Sequence, residues 1–252
     1  MKLAESVHMQ VVVDGSIYAV DEYGSGKKTP VVIFHGWGRS KEEWSYLAKK
    51  ISDQRKVYAV DCPGFGGSTK PRGIRSIYEY SLLIQRLIEY LGLKQVILVG
   101  HSLGGRIGTV LASRPTRIKI VQLILIDPAG LKVFSFKRVG LYFLSKVFFF
   151  VPRYIRTRFA HRLMDEDYRN SAGNRDLYRA VVSHNLARSI KLIKCPTLLI
   201  WGYNDNVLPV YLTKVYRKFV RDIIVRIAWN SEHDPHISEP DFVVRKIKEF
   251  IK

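Results

Sequence analysis

The chain has 252 residues, 47% of them hydrophobic, enough to bury one substantial core, so one domain carrying an insertion is the expected organisation. No run of about 20 apolar residues occurs, which excludes a membrane-crossing helix, and the first ten residues lack the apolar stretch of a secretory signal. A formal net charge of +19 favours acidic partners, while Cys62 and Cys195 stand apart without metal or redox spacing and read as reduced thiols of a cytoplasmic protein.

Residues 7–13 and 17–23 are apolar-rich runs joined by Asp14-Gly15, a hairpin turn signal. Residues 30–34 predict a third strand, apolar throughout as a strand buried on both faces should be, which ends in His35-Gly36-Trp37-Gly38. Ser40, with Glu43 three residues on, predicts a capped helix. A strand over 57–60 runs into Asp61-Cys62-Pro63-Gly64-Phe65-Gly66-Gly67-Ser68, a loop with too many breakers for regular structure. Between 76 and 91, Ile77, Tyr80, Leu83, Ile84, Leu87, Ile88 and Leu91 recur at helical period, and Gly92 closes the helix. Strands over 96–99, 121–126, 196–201 and 223–228 alternate with helices over 106–113, 211–220 and 239–252. Short loops and this alternation predict a doubly wound, mostly parallel, eight-stranded α/β sheet.

The stretch 96–105 reads V-I-L-V-G-H-S-L-G-G, an apolar β-branched run stopped by glycine, then a serine between glycines. Gly100-x-Ser102-x-Gly104 has the spacing of a nucleophile elbow, where glycines let a sharp strand-to-helix turn expose a serine hydroxyl. Serine is a weak nucleophile at its own pKa and needs a base, and the base needs an orienting carboxylate. In a parallel sheet such groups gather at the carboxyl ends of strands, which selects Asp205 after the strand ending at Trp201 and His233 after the strand ending near Ala228. Asp127, which also ends a strand, is the rival acid, and His236 the rival base. An oxyanion formed by attack on an ester carbonyl would be met by the backbone N–H groups of Trp37 and Leu103.

These residues together resemble the α/β-hydrolase superfamily. The resemblance rests on HGWG at 35–38, DCPGFGGS at 61–68, GHSLGG at 100–105, WGYND at 201–205 and HDPHISEP at 233–240, in the superfamily's order. It implies a core of 1–129 and 195–252, a helical cap over 130–194, and a Ser102–His233–Asp205 triad needing no metal or organic cofactor. It also implies His233 as the base, first in its H-x-P-H motif, with His236 at the pocket edge. A minority of relatives take the acid from the position of Asp127. His35 is expected to bond its own loop beside the pocket, and Phe134 and Phe136 to line the substrate pocket from the cap. Dehalogenases and epoxide hydrolases carry aspartate where Ser102 stands. Ring-cleavage C–C hydrolases usually carry asparagine, methionine and tryptophan where His101, Leu103 and Asp234 stand. GHSLGG is more typical of carboxylesterases, lipases and thioesterases, so the resemblance implies a serine hydrolase of esters or thioesters. Its alternatives are a C–C hydrolase, a methyl ester esterase acting on carrier-held acyl chains, and a ligand receptor that keeps the fold.

Between Leu131 and Ile190 stand twelve Lys and Arg residues against Asp165, Glu166, Asp167 and Asp176, interleaved with Phe and Tyr. Such a cap suits an acyl-binding lid, a surface for an acidic carrier protein or anionic membrane, or simply solvated arginines. No recognition motif for nucleic acid accompanies the charge.

Overall fold

The computed structural model describes residues 6–131 and 173–251. Its strands are β1 (Ser6–Val13), β2 (Ser16–Phe34), β3 (Arg55–Val60), β4 (Gln95–His101), β5 (Lys119–Ile126), β6 (Thr197–Gly202) and β7 (Ile223–Ala228). The helices are α1 (Ser45–Ile51), α2 (Ile77–Tyr90), α3 (Leu103–Ala112), α4 (Arg175–Val182), α5 (Ala187–Lys191), α6 (Thr213–Phe219), α7 (Pro235–Ser238) and α8 (Pro240–Phe250). The expected insertion over 130–194 is described only at its ends; Phe134, Phe136 and the run 165–167 lie outside the described residues. No helix among the described residues is long and apolar enough to cross a membrane.

Asp14 and Gly15 both take positive φ, 49° and 74°, and close the hairpin with Val13 opposite Ser16. That is the two-residue turn whose twist matches its strands. The expected second and third strands are two halves of one, β2, which gives a seven-stranded sheet. Val20 lies opposite Val60 and Tyr23 opposite Val57, whereas Val31 lies opposite Val57 and Phe34 opposite Val60. The first half thus runs against β3 and the second along it, so β3 is held between them. The bend falls at Gly24 and Gly26, where an added Cβ would stand 2.4 Å from the Ser52 carbonyl oxygen and 1.9 Å from the Gln54 carbonyl carbon.

From β4 onward every pairing is parallel, β2 to β4, β4 to β5, β5 to β6 and β6 to β7. Alternate residues of these strands feed two cores, as a period of two requires. Val32, Phe34, Leu98 and Leu125 pack with Ile84, Leu87 and Ile107 of α2 and α3. Val31, Ile33, Val99 and Ile126 pack with Leu47 and Ile51 of α1 and with Val243 and Ile247 of α8. Residues Val96 to Gly100 of β4 are buried throughout, so the central strand is apolar on both faces.

The Ser76 hydroxyl accepts the Glu79 amide at 3.1 Å and starts α2. Ser40 does not cap in this way. The Lys41 amide there donates to Asp61 Oδ1 at 2.7 Å, because the buried Asp61 carboxylate at the end of β3 reaches the turn first. Asp61 also accepts the Gly67 amide at 2.9 Å, so one carboxylate ties two loops at the carboxyl edge of the sheet.

Candidate active site

Ser102 occupies φ 46° and ψ −103°, a strained conformation for any residue with a side chain. Surrounding contacts hold it there: the Ser102 amide donates to the Ile126 carbonyl at 3.1 Å, and the Ser102 carbonyl accepts the Arg106 and Ala129 amides. The two glycines of the motif are demanded by space. A Cβ on Gly100 would stand 2.3 Å from the Gly104 carbonyl, and one on Gly104 2.2 Å from the Phe34 carbonyl oxygen.

The structure brings Ser102, His233 and Asp205 into one hydrogen-bonded chain. Ser102 Oγ lies 3.1 Å from His233 Nε2, and His233 Nδ1 lies 2.7 Å from Asp205 Oδ2. Asp205 is buried, and its other oxygen accepts the Val207 and Leu208 amides at 2.8 and 2.7 Å. With Nδ1–H committed to the carboxylate, Nε2 is free to accept the serine proton.

Asp127 is also fully buried; it accepts the Gly202 amide at 3.0 Å and lies beside Asp205, its carboxylate within 4.8 Å of the Asp205 and His233 side-chain atoms. Burial, and then the Asp205 charge beside it, push its carboxyl well above the usual carboxylate range. Asp205, not Asp127, bonds the His233 ring directly.

The Gly104 amide donates to the His35 carbonyl at 3.1 Å, which sets the 35–38 loop beside the first turn of α3. Leu103 begins that helix, so its amide is among those that the helix leaves unpaired. The Trp37 ring packs edge-on against Phe65 and Tyr178, with centroids 4.8 and 5.0 Å away. His35 lies beneath the loop, fully buried, its Nδ1–H donating to the Gly36 carbonyl at 2.7 Å while Nε2 accepts the Cys62 amide at 2.9 Å. Burial lowers its pKa and keeps it neutral.

His236 is placed behind the base rather than on an open wall. Its buried ring stacks on Trp44 at 4.3 Å, lies 4.5 Å from the His101 ring and comes within 3.4 Å of Glu43 Oε1. His101 donates from Nε2 to the His233 carbonyl at 2.8 Å. Burial, with His236 and His233 nearby, holds its pKa well below the ordinary histidine value.

Two groups that the sequence reading missed join this region. Arg39 Nη2 meets Asp234 Oδ2 at 2.5 Å, and Arg39 Nη1 lies 3.8 Å from Glu43. Phe65 and Tyr178 complete the aromatic wall around Trp37. Two clusters among the described residues bring potential metal-ligand atoms within 4.8 Å of one another: Glu43, His101 and His236, and Asp127, Asp205 and His233. In the second, His233 Nδ1 is already hydrogen-bonded to Asp205; the first shares its carboxylate with the fixed positive charge of Arg39.

A strained serine on a strand-to-helix turn, at the carboxyl edge of a mostly parallel sheet, defines the class of hydrolases built on this fold. The sequence profile described as "Alpha/beta hydrolase family" matches residues 31–246, and the chain belongs to that family. It is 27% identical to a monoacylglycerol lipase, abhd6-B, of Xenopus laevis, over 90% of this chain and 76% of that one. It is 26% identical to the pimeloyl-[acyl-carrier protein] methyl ester esterase of Wigglesworthia glossinidia brevipalpis, over 91% and 95% of the two chains. Among solved structures it resembles a membrane phospholipase A described as a bacterial virulence factor, with a TM-score of 0.78 and 25% identity over 98% of this chain and 86% of that one. A lipase and an esterase are thus among the relatives that this chain resembles along most of its length.

Proposed function

We propose that the protein is a serine hydrolase that cleaves carboxylic esters or thioesters through an acyl-enzyme. The observation that carries this reading is the continuous chain Ser102 Oγ, His233 Nε2, His233 Nδ1, Asp205 Oδ2, with links of 3.1 and 2.7 Å. As Ser102 Oγ attacks the carbonyl carbon, its proton passes to His233 Nε2, and the imidazolium so formed is stabilised by Asp205. The amides of Trp37 and Leu103 receive the oxyanion, each such donor typically worth about 3–4 kcal/mol. Collapse expels the alcohol or thiol, which takes the proton back from Nε2. A water molecule deprotonated by His233 then attacks the acyl-enzyme and releases the acid.

In this reading residues 1–129 and 195–252 form the catalytic core, and 130–194 the cap that selects the acyl group, with Phe134 and Phe136 toward the substrate. A narrower version, favoured by the near full-length similarity to a carrier-linked methyl ester esterase, has the basic cap receive an acyl chain on an acidic carrier. The test is labelling of Ser102 by a fluorophosphonate together with turnover of p-nitrophenyl butyrate. Both should vanish in Ser102→Ala. Intact protein showing neither would leave the ligand-receptor reading, and steep loss of turnover with salt only on a carrier-bound ester would select the narrower version.

A further inference from the structure

We propose that Asp127 is a positioning residue for the triad: the two strand-end carboxyl groups hold one proton between them, and Asp127 donates it in a hydrogen bond to Asp205. Strands β5 and β6 run parallel with Ile126 opposite Ile200, so the residues that follow them emerge side by side at the carboxyl edge of the sheet. Asp127 turns there at a φ of 40°, in the left-handed region that favours glycine, and its amide donates to the Ile200 carbonyl at 3.0 Å. Its carboxyl is fully buried, and Oδ1 accepts the Gly202 amide. Among the described residues no donor reaches the buried Oδ2. An acceptor left so is costly, and a proton on Oδ2 itself removes the cost by turning it into a donor.

The acceptor for that proton is at hand. Asp127, Asp205 and His233 each place a polar side-chain atom within 4.8 Å of the other two. Two buried carboxyl groups this close are not both charged, so one proton stays with the pair. Asp205 accepts three hydrogen bonds, from His233 Nδ1 and from the Val207 and Leu208 amides, whereas Asp127 accepts only that of Gly202. Hydrogen bonds to a carboxylate favour its charged form, which leaves the proton on Asp127. The charged and titratable groups that face Asp127 are Asp205 from the β6–α6 loop and His233 and Asp234 from the loop before α7. Burial, the charges of Asp205 and Asp234 and the hydrogen bond to the Asp205 side chain all raise the Asp127 carboxyl. A donor on Asp205 holds that carboxylate against rotation and draws charge from it, which moderates its pull on the His233 Nδ1 proton.

The shared proton is read without turnover; only its effect on rate rests on the serine-hydrolase reading above. In full-length Ser102→Ala protein at pH 7, adding Asp127→Asn should remove the infrared band of a protonated carboxyl. Loss of a carboxylate band instead overturns the proposal. In the same background Asp127→Ala should move the His233 Nδ1 proton resonance downfield, because Asp205 then pulls on it harder. Asparagine should restore the resonance, since its amide donates to Asp205 and accepts from Gly202 as the protonated carboxyl does. With Ser102 intact, the acid limb of the kcat/KM profile on p-nitrophenyl butyrate should rise by about half to one pH unit in Asp127→Ala and return in Asp127→Asn. A resonance and a limb that stay put in folded Asp127→Ala would make Asp127 a packing residue and overturn the proposal. Should Asp127→Ala fail to fold, the infrared comparison with Asp127→Asn decides alone. Protein without esterase turnover would still answer by the infrared and proton signals, so failure of the hydrolase reading stays distinct.

Discussion

Arg39 and Asp234 join the two loops between which the chemistry would occur: Arg39 Nη2 contacts Asp234 Oδ2 at 2.5 Å across 195 residues of sequence. Arg39 follows the HGWG loop that presents the Trp37 amide, and Asp234 follows His233 directly. Asp234 Oδ1 lies 3.4 Å from His101 Nε2, the group that holds the His233 carbonyl. An ion pair backed by a buried histidine therefore ties the loop of the proposed oxyanion donor to that of the proposed base. The pair is part-exposed, so the pair itself is worth about 0.2–1 kcal/mol. Arg39→Gln and Asp234→Asn should each lower kcat about two- to fivefold with KM near its starting value, and the double variant should lose no more than the worse single one. Additive losses in steady-state kinetics would show that the two residues act separately.

The two strand-end aspartates are neighbours that differ in the groups they bond. Asp205 receives the His233 Nδ1 proton, whereas Asp127 receives the Gly202 amide. Asp205→Asn presents an amide that can no longer fix the useful tautomer, and kcat should fall on the order of 10³–10⁴-fold. Asp127→Asn should keep most of its turnover, since it is Asp205 and not Asp127 that bonds the His233 ring. The reverse ranking on a p-nitrophenyl ester would move the acid to Asp127.

Local sequence made the sheet, the elbow and the candidate triad legible, because each is written in neighbouring residues. The apolar run 96–99 stopped by Gly100 predicts a buried strand and its turn, and β4 is buried along that run. What escaped lies in contacts between distant segments. Ser40 has the spacing of a capping residue, yet the turn is capped by Asp61, from the loop that follows β3. Two apolar runs either side of Gly24 read as two strands, and they became one because Gly24 and Gly26 let the chain pass tight against 52–55. Arg39 and Asp234 each look like an ordinary surface charge until the fold sets them together. His236 reads as a pocket-edge residue from its motif, and only the stacking on Trp44 places it behind the base.

Asp127 makes stability depend on pH in a direction unusual for an aspartate. Burial and the Asp205 charge raise its folded pKa above the ordinary 3.8. At pH values below 3.8 both folded and unfolded chains hold the proton and the contribution is fully present. As pH rises above 3.8 the unfolded chain gives up the proton freely while the folded one keeps it, so stability is lost until the folded pKa is reached. Asp127→Asn keeps the acceptor for the Gly202 amide and removes the titration. Its stability relative to the parent should climb as pH rises above the ordinary aspartate value, with a slope of at most about 1.4 kcal/mol per pH unit, in denaturant melts at matched pH. A flat difference would mean that Asp127 is ionised in the folded protein.

Gly104 offers the most severe test of the elbow's geometry, because what it excludes is backbone and not a side chain that could move aside. A Cβ at 104 would lie 2.2 Å from the Phe34 carbonyl oxygen and 2.8 Å from the Phe34 Cβ. Phe34 ends β2, so relieving the clash would push α3 off the sheet and with it the turn that holds Ser102 at positive φ. Gly104→Ala should destabilise the fold by about 3 kcal/mol or more, as overpacking does where neither side can yield. Gly38→Ala is the informative contrast. An added Cβ at Gly38 meets nothing within 4 Å, and only its φ of 71° resists substitution. Its loss should be about 1–2 kcal/mol. Equal losses for the two variants in chemical denaturation would show that the α3–β2 contact is looser than its geometry implies.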